Sequence, residues 1–220
     1  EAYSEAAKML YGNAASLHDA GGRSSSAIEW ARYTIAEKLG VHRDGLIFTG
    51  SGTESNILSI LSLARTEHRG RHIITSMAEH TSVHAAMNTL EQEGFHVTKL
   101  PFTKEGIVDL RALEEAICAE TTLSAIQHVN SEIGTIQPIS DIVQIAKQHN
   151  IYVHVDCVQS YCKLSIAEFA KDVDGLAISA HKIGGPKGCG AAYINPYVRV
   201  APLFPGVTHE RGLRGGTLDA

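Results

Sequence analysis

The sequence predicts an α/β fold, a mainly parallel (mixed) sheet sandwiched by helices. Three observations lead there. Short apolar runs alternate with longer stretches in which apolar residues recur at helical spacing. The short runs are mostly apolar, as in strands covered on both faces. No internal repeat and no long linker interrupts the alternation. With 220 residues, 44% of them hydrophobic and 20% charged, the chain has ordinary globular composition and the length for one sizeable core.

Taken in order, Ile28, Ala31, Ile35 and Leu39 recur at helical spacing, and Gly40 supplies a stop. Leu46 to Thr49 reads as a short strand. A helix is predicted from Thr53 to about Arg65, with Ile57, Leu58, Leu61 and Ala64 on one face. His72 to Thr75 is a strand, and a helix follows from Thr81 to Glu93. His96 to Leu100 is a strand, Asp109 to Ala119 a helix, and Leu123 to Val129 a strand. Ser140 to His149 is helical, and Ile151 to Val155, Gly175 to Ile178 and Gly190 to Ile194 complete the strands.

Charge and composition exclude several classes. A net charge of -5 offers no basic field for nucleic acid. No apolar stretch approaches membrane-spanning length, and the first residues lack a basic-then-apolar signal pattern, so a cytoplasmic location is expected. None of the four cysteines forms a CxxC pair or a zinc-type spacing. Cys118, Cys157 and Cys189 sit beside apolar residues and are expected to be buried, reduced thiols.

In folds of this class, ligands collect beyond the carboxyl ends of the strands. Thr49-Gly50-Ser51-Gly52-Thr53-Glu54 carries two glycines and a capping-box spacing from Ser51 to Glu54. Its reading is either a capped helix or, through Gly52 and Thr53, a cradle for phosphate at a helix N-terminus. His80 follows the next strand, as a helix cap or as a flat ring stacked on a cofactor. Its spacing to His84 suits a metal, but no third ligand is evident and none is expected to bind. Asn130 and Ser131 form a turn or contact a ligand. Asp156 ends an apolar strand, so its carboxylate is expected to be buried and to need a partner, with Gln159 nearby. Ser179, His181 and Lys182 close the last loop. Lys182 is expected to be partly desolvated at the sheet edge, which would free its amine, while Lys187 is a more distant rival. A lysine and an acid at strand mouths meet the needs of pyridoxal phosphate (PLP) chemistry. The lysine forms a Schiff base and the acid keeps a proton on the pyridine nitrogen.

These motifs, with Tyr11-Gly12-Asn13-Ala14-Ala15-Ser16-Leu17-His18 and His209-Glu210-Arg211-Gly212-Leu213-Arg214-Gly215-Gly216-Thr217-Leu218, run almost the whole length of the chain. In order and spacing they resemble cysteine desulfurases of the NifS/IscS type, within the class V aminotransferase-like PLP enzymes. The resemblance implies the large domain of a fold type I PLP-dependent transferase over residues 1–220. It makes Lys182 and His80 catalytic, with Asp156 on the pyridine nitrogen and Gln159 on the ring oxygen. Gly52, Thr53, Ser179 and His181 would bind the phosphate, and Asn130 and Ser131 would meet the substrate. Thr217 would reach the phosphate in a partner subunit, which implies a homodimer with shared sites. L-Cysteine would be the substrate, and a sulfur-acceptor or scaffold protein serving iron–sulfur cluster or thio-cofactor assembly would be the partner.

The chain departs from the family pattern at Ser131, where a second asparagine is usual, and at Gly206-Val207-Thr208, where a glycine run is usual. The family's opening segment and its C-terminal small domain, with the persulfide-bearing cysteine, have no counterpart in these residues. Cofactor binding, with little desulfuration by this stretch alone, is the resulting expectation. The alternatives are a selenocysteine lyase, a class V aminotransferase, or a non-catalytic dimerisation or docking module. An NAD-binding fold is disfavoured because no G-x-G-x-x-G follows a strand.

Overall fold

The computed structural model describes residues 2–220. Two helices open it, α1 (Ala2–Met9) and α2 (Asp19–Leu39). The alternating part follows, with β1 (Leu46–Thr49), α3 (Gly52–Ala64), β2 (His72–Ser76), α4 (Thr81–Gln92) and β3 (His96–Leu100). It continues through α5 (Leu110–Ala116), β4 (Thr121–Gln127), α6 (Ile139–Gln148) and β5 (Tyr152–Asp156). A short α7 (Ala167–Ala170), β6 (Gly175–Ser179) and β7 (Gly190–Ile194) complete it.

The seven strands form one sheet in the order β1-β7-β6-β5-β4-β2-β3. Strand β7 runs antiparallel to both its neighbours, and the other pairings are parallel. The chain steps outward from β2 to β3 on one side and from β4 to β6 on the other. The carboxyl ends of β2, β4 and β5 therefore flank a switch in winding direction, where a crevice opens. Alternate strand residues feed two cores. Ile47, Ile73, Leu123 and Ala192 pack with α3 and α4, whereas Leu46, Ile74, Val153 and Leu176 pack with α5, α6 and α7. Both faces of the central strands are covered, which is why these strands are buried along their length, while the edge strand β3 is partly exposed.

Several boundaries differ from the sequence reading, each for a local reason. Helix α5 stops at Ala116 because Ile117 is already extended, and the Cys118 N–H turns onto Thr121 Oγ1 at 2.8 Å. Strand β4 ends at Gln127, and Val129 makes an isolated bridge with Ile136 instead of extending it. The buried stripe of α2 is Ser24, Ile28, Arg32, Ala36 and Leu39, so Ala31 and Ile35 lie at its margin. Arg32 takes the inward position because Glu210 binds its guanidinium at 2.7 Å. Gly40 does end the helix, in the left-handed conformation at φ 71°. Of the cysteines, only Cys157 is buried. Cys118 is exposed and Cys189 half-buried, because Cys118 lies past the end of α5 and Cys189 just before β7 begins.

Close approach of α3 to the sheet depends on Gly175. A Cβ there would overlap Ser59 Oγ and lie 2.9 Å from both His154 Nδ1 and Leu63 Cδ1. Gly175→Ala is expected to lower stability by about 1–3 kcal/mol in urea unfolding. Gly22→Ala, at an exposed position of α2 where a Cβ meets nothing within 4 Å, is expected to raise it by about 0.5–1 kcal/mol. Equal effects from the two would show that space at Gly175 is not limiting.

Candidate active site

The turn between β1 and α3 leaves backbone amides free at a helix N-terminus. Ser51 caps α3, its Oγ accepting from Glu54 N–H at 3.1 Å. The Glu54 side chain folds back, as a capping box does, but onto Gly50 N–H at 2.6 Å and not onto the helix's own first amides. The N–H groups of Gly52 and Thr53 are left without a protein acceptor among the described residues, and both residues line a cleft of about 250 Å³. Gly52 has to be glycine for this cleft to close. A Cβ would lie 2.7 Å from Val158 Cγ2 and 3.2 Å from Ser179 Cβ. From the other side, Ser179 Oγ and His181 Nδ1 are 2.8 Å apart, and His181 also lines the cleft. Free amides at the positive end of a helix, with a hydroxyl and an imidazole nearby, suit a phosphate.

Asp156 lies deeper, 7% exposed, at the end of β5. Its Oδ1 accepts from Val158 N–H at 2.9 Å and its Oδ2 from Asn56 Nδ2 at 2.7 Å. Burial raises its pKa, while these two hydrogen bonds and nearby His80 oppose the rise. No lysine or arginine pairs with it among the described residues. A buried carboxylate without a fixed cation suits a ligand that brings its own positive charge.

Sequence reasoning missed Asn56, which holds this carboxylate in place. Besides Asp156, its Nδ2 donates to Ser82 Oγ at 3.0 Å, and its Oδ1 meets His154 Nε2 at 3.0 Å. His154 is fully buried and its pKa is pushed down to about 3 by desolvation, so it is neutral. The Asn56 oxygen then requires the proton on Nε2, and Nδ1 accepts from Ser59 Oγ at 2.9 Å. The signal was present as an asparagine and a serine on the buried face of an otherwise apolar helix. A period of apolar residues gives no reason to select them.

His80 is a helix cap that also borders the cleft. Its Nδ1 caps α4, accepting from Ser82 N–H at 3.1 Å, and its ring lines the cleft. Glu79 was also missed. Buried beside His80, it accepts from Ser76 Oγ and, at 2.8 Å, from Gln127 N–H. Lys182 and Gln159 line the cleft. Lys182 sits in the turn Ala180–Ile183, which ends at Gly184 with φ 82°. Contrary to expectation, its side chain is exposed, because this turn lifts it off the sheet edge. Lys187 lies outside the lining residues. Ser131 lines the cleft but Asn130 does not. The Asn130 side chain is spent on its own turn, accepting from Glu132 N–H and Ile133 N–H and donating to Ala78 O. Thr217 does not line this cleft and borders a hollow with Tyr11, Gly12 and Asn13.

The family model for class V aminotransferases matches residues 1–211. The chain belongs to this family. It is 43% identical over 211 residues to the cysteine desulfurase IscS of Dictyoglomus turgidum, covering 96% of this chain and 54% of that protein. It is 42% identical over 213 residues to the mitochondrial cysteine desulfurase of Eremothecium gossypii, covering 95% of this chain and 44% of that protein. Among solved structures, a NifS-like protein superposes with a TM-score of 0.93 at 39% identity, over 99% of this chain and 60% of that one. SspA in complex with cysteine superposes with a TM-score of 0.92 at 39% identity, over 99% and 65%. The chain spans about half the length of the curated relatives it matches. Class V aminotransferases and cysteine desulfurases are PLP-dependent enzymes, and the fold is that of this PLP-dependent group. The cleft fits that cofactor. The free amides suit its phosphate, and the cationless Asp156 suits its pyridinium.

Burial raises the pKa of Glu79 from its ordinary 4.5 to about 8. In the fold it therefore keeps a proton that the unfolded chain has already lost. Its contribution to stability is most favourable below about pH 4.5, declines as pH rises toward about 8, and levels off above. The slope is at most about 1.4 kcal/mol per pH unit. Glu79→Gln retains an oxygen for Gln127 N–H and offers Ser76 a donor. In urea unfolding from pH 5 to pH 8, the variant is expected to lose less stability than the wild type. Parallel pH profiles would show that Glu79 does not carry this proton.

Proposed function

We propose that residues 1–220 are the PLP-binding large domain of a cysteine desulfurase. The observation that carries this reading is the pairing, across one cleft, of a buried cationless carboxylate at Asp156 with the amine of Lys182. The relatives named cysteine desulfurase point to the reaction. In that reaction L-cysteine becomes L-alanine and its sulfur passes to a thiol, R–SH becoming R–S–SH, so that atoms balance. The bound cofactor supplies an electron-accepting ring.

The residues of this chain do the rest. Gly52 and Thr53 amides, with Ser179 and His181, bind the phosphate and fix the cofactor's depth in the cleft. Asp156, oriented by Asn56 and Val158, holds a proton on the ring nitrogen. Gln159 orients the ring oxygen. His80 covers one face of the ring with a plane that its capping bond holds still. Lys182 Nζ would hold the cofactor's aldehyde carbon, and its exposed side chain would then be free to carry a proton. Ser131, shorter than asparagine, leaves room for water or substrate at the cleft wall.

The proposal extends to a homodimer. Thr217 does not line the cleft of its own chain and lies beside a surface on which Tyr11 and Leu17 are exposed. Such a surface suits a second copy whose cleft Thr217 would complete. A sulfur-accepting partner and a role in iron–sulfur or thio-cofactor assembly follow from the reaction. A reducing, cytoplasmic setting fits four free thiols, and no described helix is long and apolar enough to cross a membrane.

Mixing the purified chain with PLP is expected to give a visible absorption band shifted from that of free PLP. Borohydride reduction should then leave the cofactor attached to Lys182 in peptide mass mapping. Lys182→Ala should keep its fold by circular dichroism and lose the adduct. An adduct at Lys187, or none from folded wild-type chain, would refute the assignment.

A further inference from the structure

The anion-binding turn contains a carboxylate that should work against it. Glu54 is the third residue of α3, and its Oε2 is bound to Gly50 N–H, within the turn whose Gly52 and Thr53 amides await an anion. An uncompensated negative charge there would oppose any phosphate. It is compensated from far along the chain, because Arg214 Nε donates to Glu54 Oε1 at 2.5 Å. The segment bearing Arg214 is itself anchored. Glu210 accepts from Phe48 N–H at 2.6 Å and from Arg32 Nη2 at 2.7 Å, and Leu213 is buried. The carboxylate thus shapes the turn, and the guanidinium removes the electrostatic cost of having it there.

We propose that Glu54 and Arg214 are positioning residues that set how strongly the cleft prefers a phosphorylated ligand. The inference rests on reading the turn as the PLP phosphate cradle. Neither side chain need touch the cofactor. Glu54 holds the turn open by capping Gly50, and Arg214 sets the net charge that an incoming phosphate meets. With side chains 39% and 24% exposed, water screens the pair, so the effect is modest and salt-sensitive.

The test compares PLP with pyridoxal, which lacks only the phosphate, by absorbance titration of the 220-residue chain and its variants. Thermal melts serve as a check on folding. Arg214→Gln leaves Glu54 uncompensated and is expected to lower the preference for PLP over pyridoxal by about three- to tenfold. Glu54→Gln keeps an oxygen for Gly50 N–H and is expected to raise that preference by a similar factor. The double variant should return near the wild-type ratio, and added salt should shrink both single effects. Equal weakening of both ligands would mean that the pair is only a structural tie and would overturn the proposal. An unchanged ratio in Glu54→Gln would overturn it even if Arg214→Gln failed to fold. A wild-type chain with no preference for PLP over pyridoxal would remove the cradle itself, and the proposal would fall with it.

Discussion

The depth at which α3 sits against the sheet governs the rest of this molecule. A helix with bulky residues on its inner face would stand off from the strands. Here Gly52, Ser55, Ser59 and Ser62 are buried along that face, opposite glycine and alanine positions of β6 and β7. The serines do more than save space. Ser55 Oγ reaches Thr49 Oγ1 at 2.7 Å, and Ser59 Oγ satisfies the buried ring of His154. Close seating brings the amide end of the helix into the crevice and carries Asn56 within reach of Asp156. The cradle and the buried acid are thus consequences of one packing distance.

A chain of polar contacts then links groups from α3, β5 and the start of α4. It runs from Ser59 through His154 and Asn56 to Asp156, and branches through Ser82 to His80. Every member with a partner in this chain has its donors and acceptors assigned by its neighbours. Networks of this kind are costly when half satisfied and rigid when complete. Here the rigidity falls on two groups that line the cleft, the Asp156 carboxylate and the His80 imidazole.

Much of this was legible in the sequence. The strand positions followed from short apolar runs, and the strand-end rule pointed to Gly52, Thr53, His80, Asp156, Gln159, His181 and Lys182, all of which line one cleft. What was not legible depends on tertiary context. The stripe of α2 turned inward around Arg32 because of Glu210, a partner 178 residues away. Asn56 and Glu79 acquire their importance from burial that local pattern does not report. Exposure of Lys182 follows from a single turn of 3₁₀ geometry, which no hydrophobic period encodes. Asn130 reads as a turn former, and its side chain accepts from two amides of its turn.

The cap that His80 places on α4 ties two properties that are usually separable. Position 80 answers at once to the cleft and to a helix of twelve residues. Any replacement that keeps a flat ring but lacks a hydrogen-bond acceptor at the Nδ1 position would leave the first turn of α4 unsealed. Any replacement that seals the helix with a small hydroxyl or carboxyl would forfeit the plane. Histidine caps the helix and lines the cleft with one ring, so fewer side chains can replace it than the cap alone would admit.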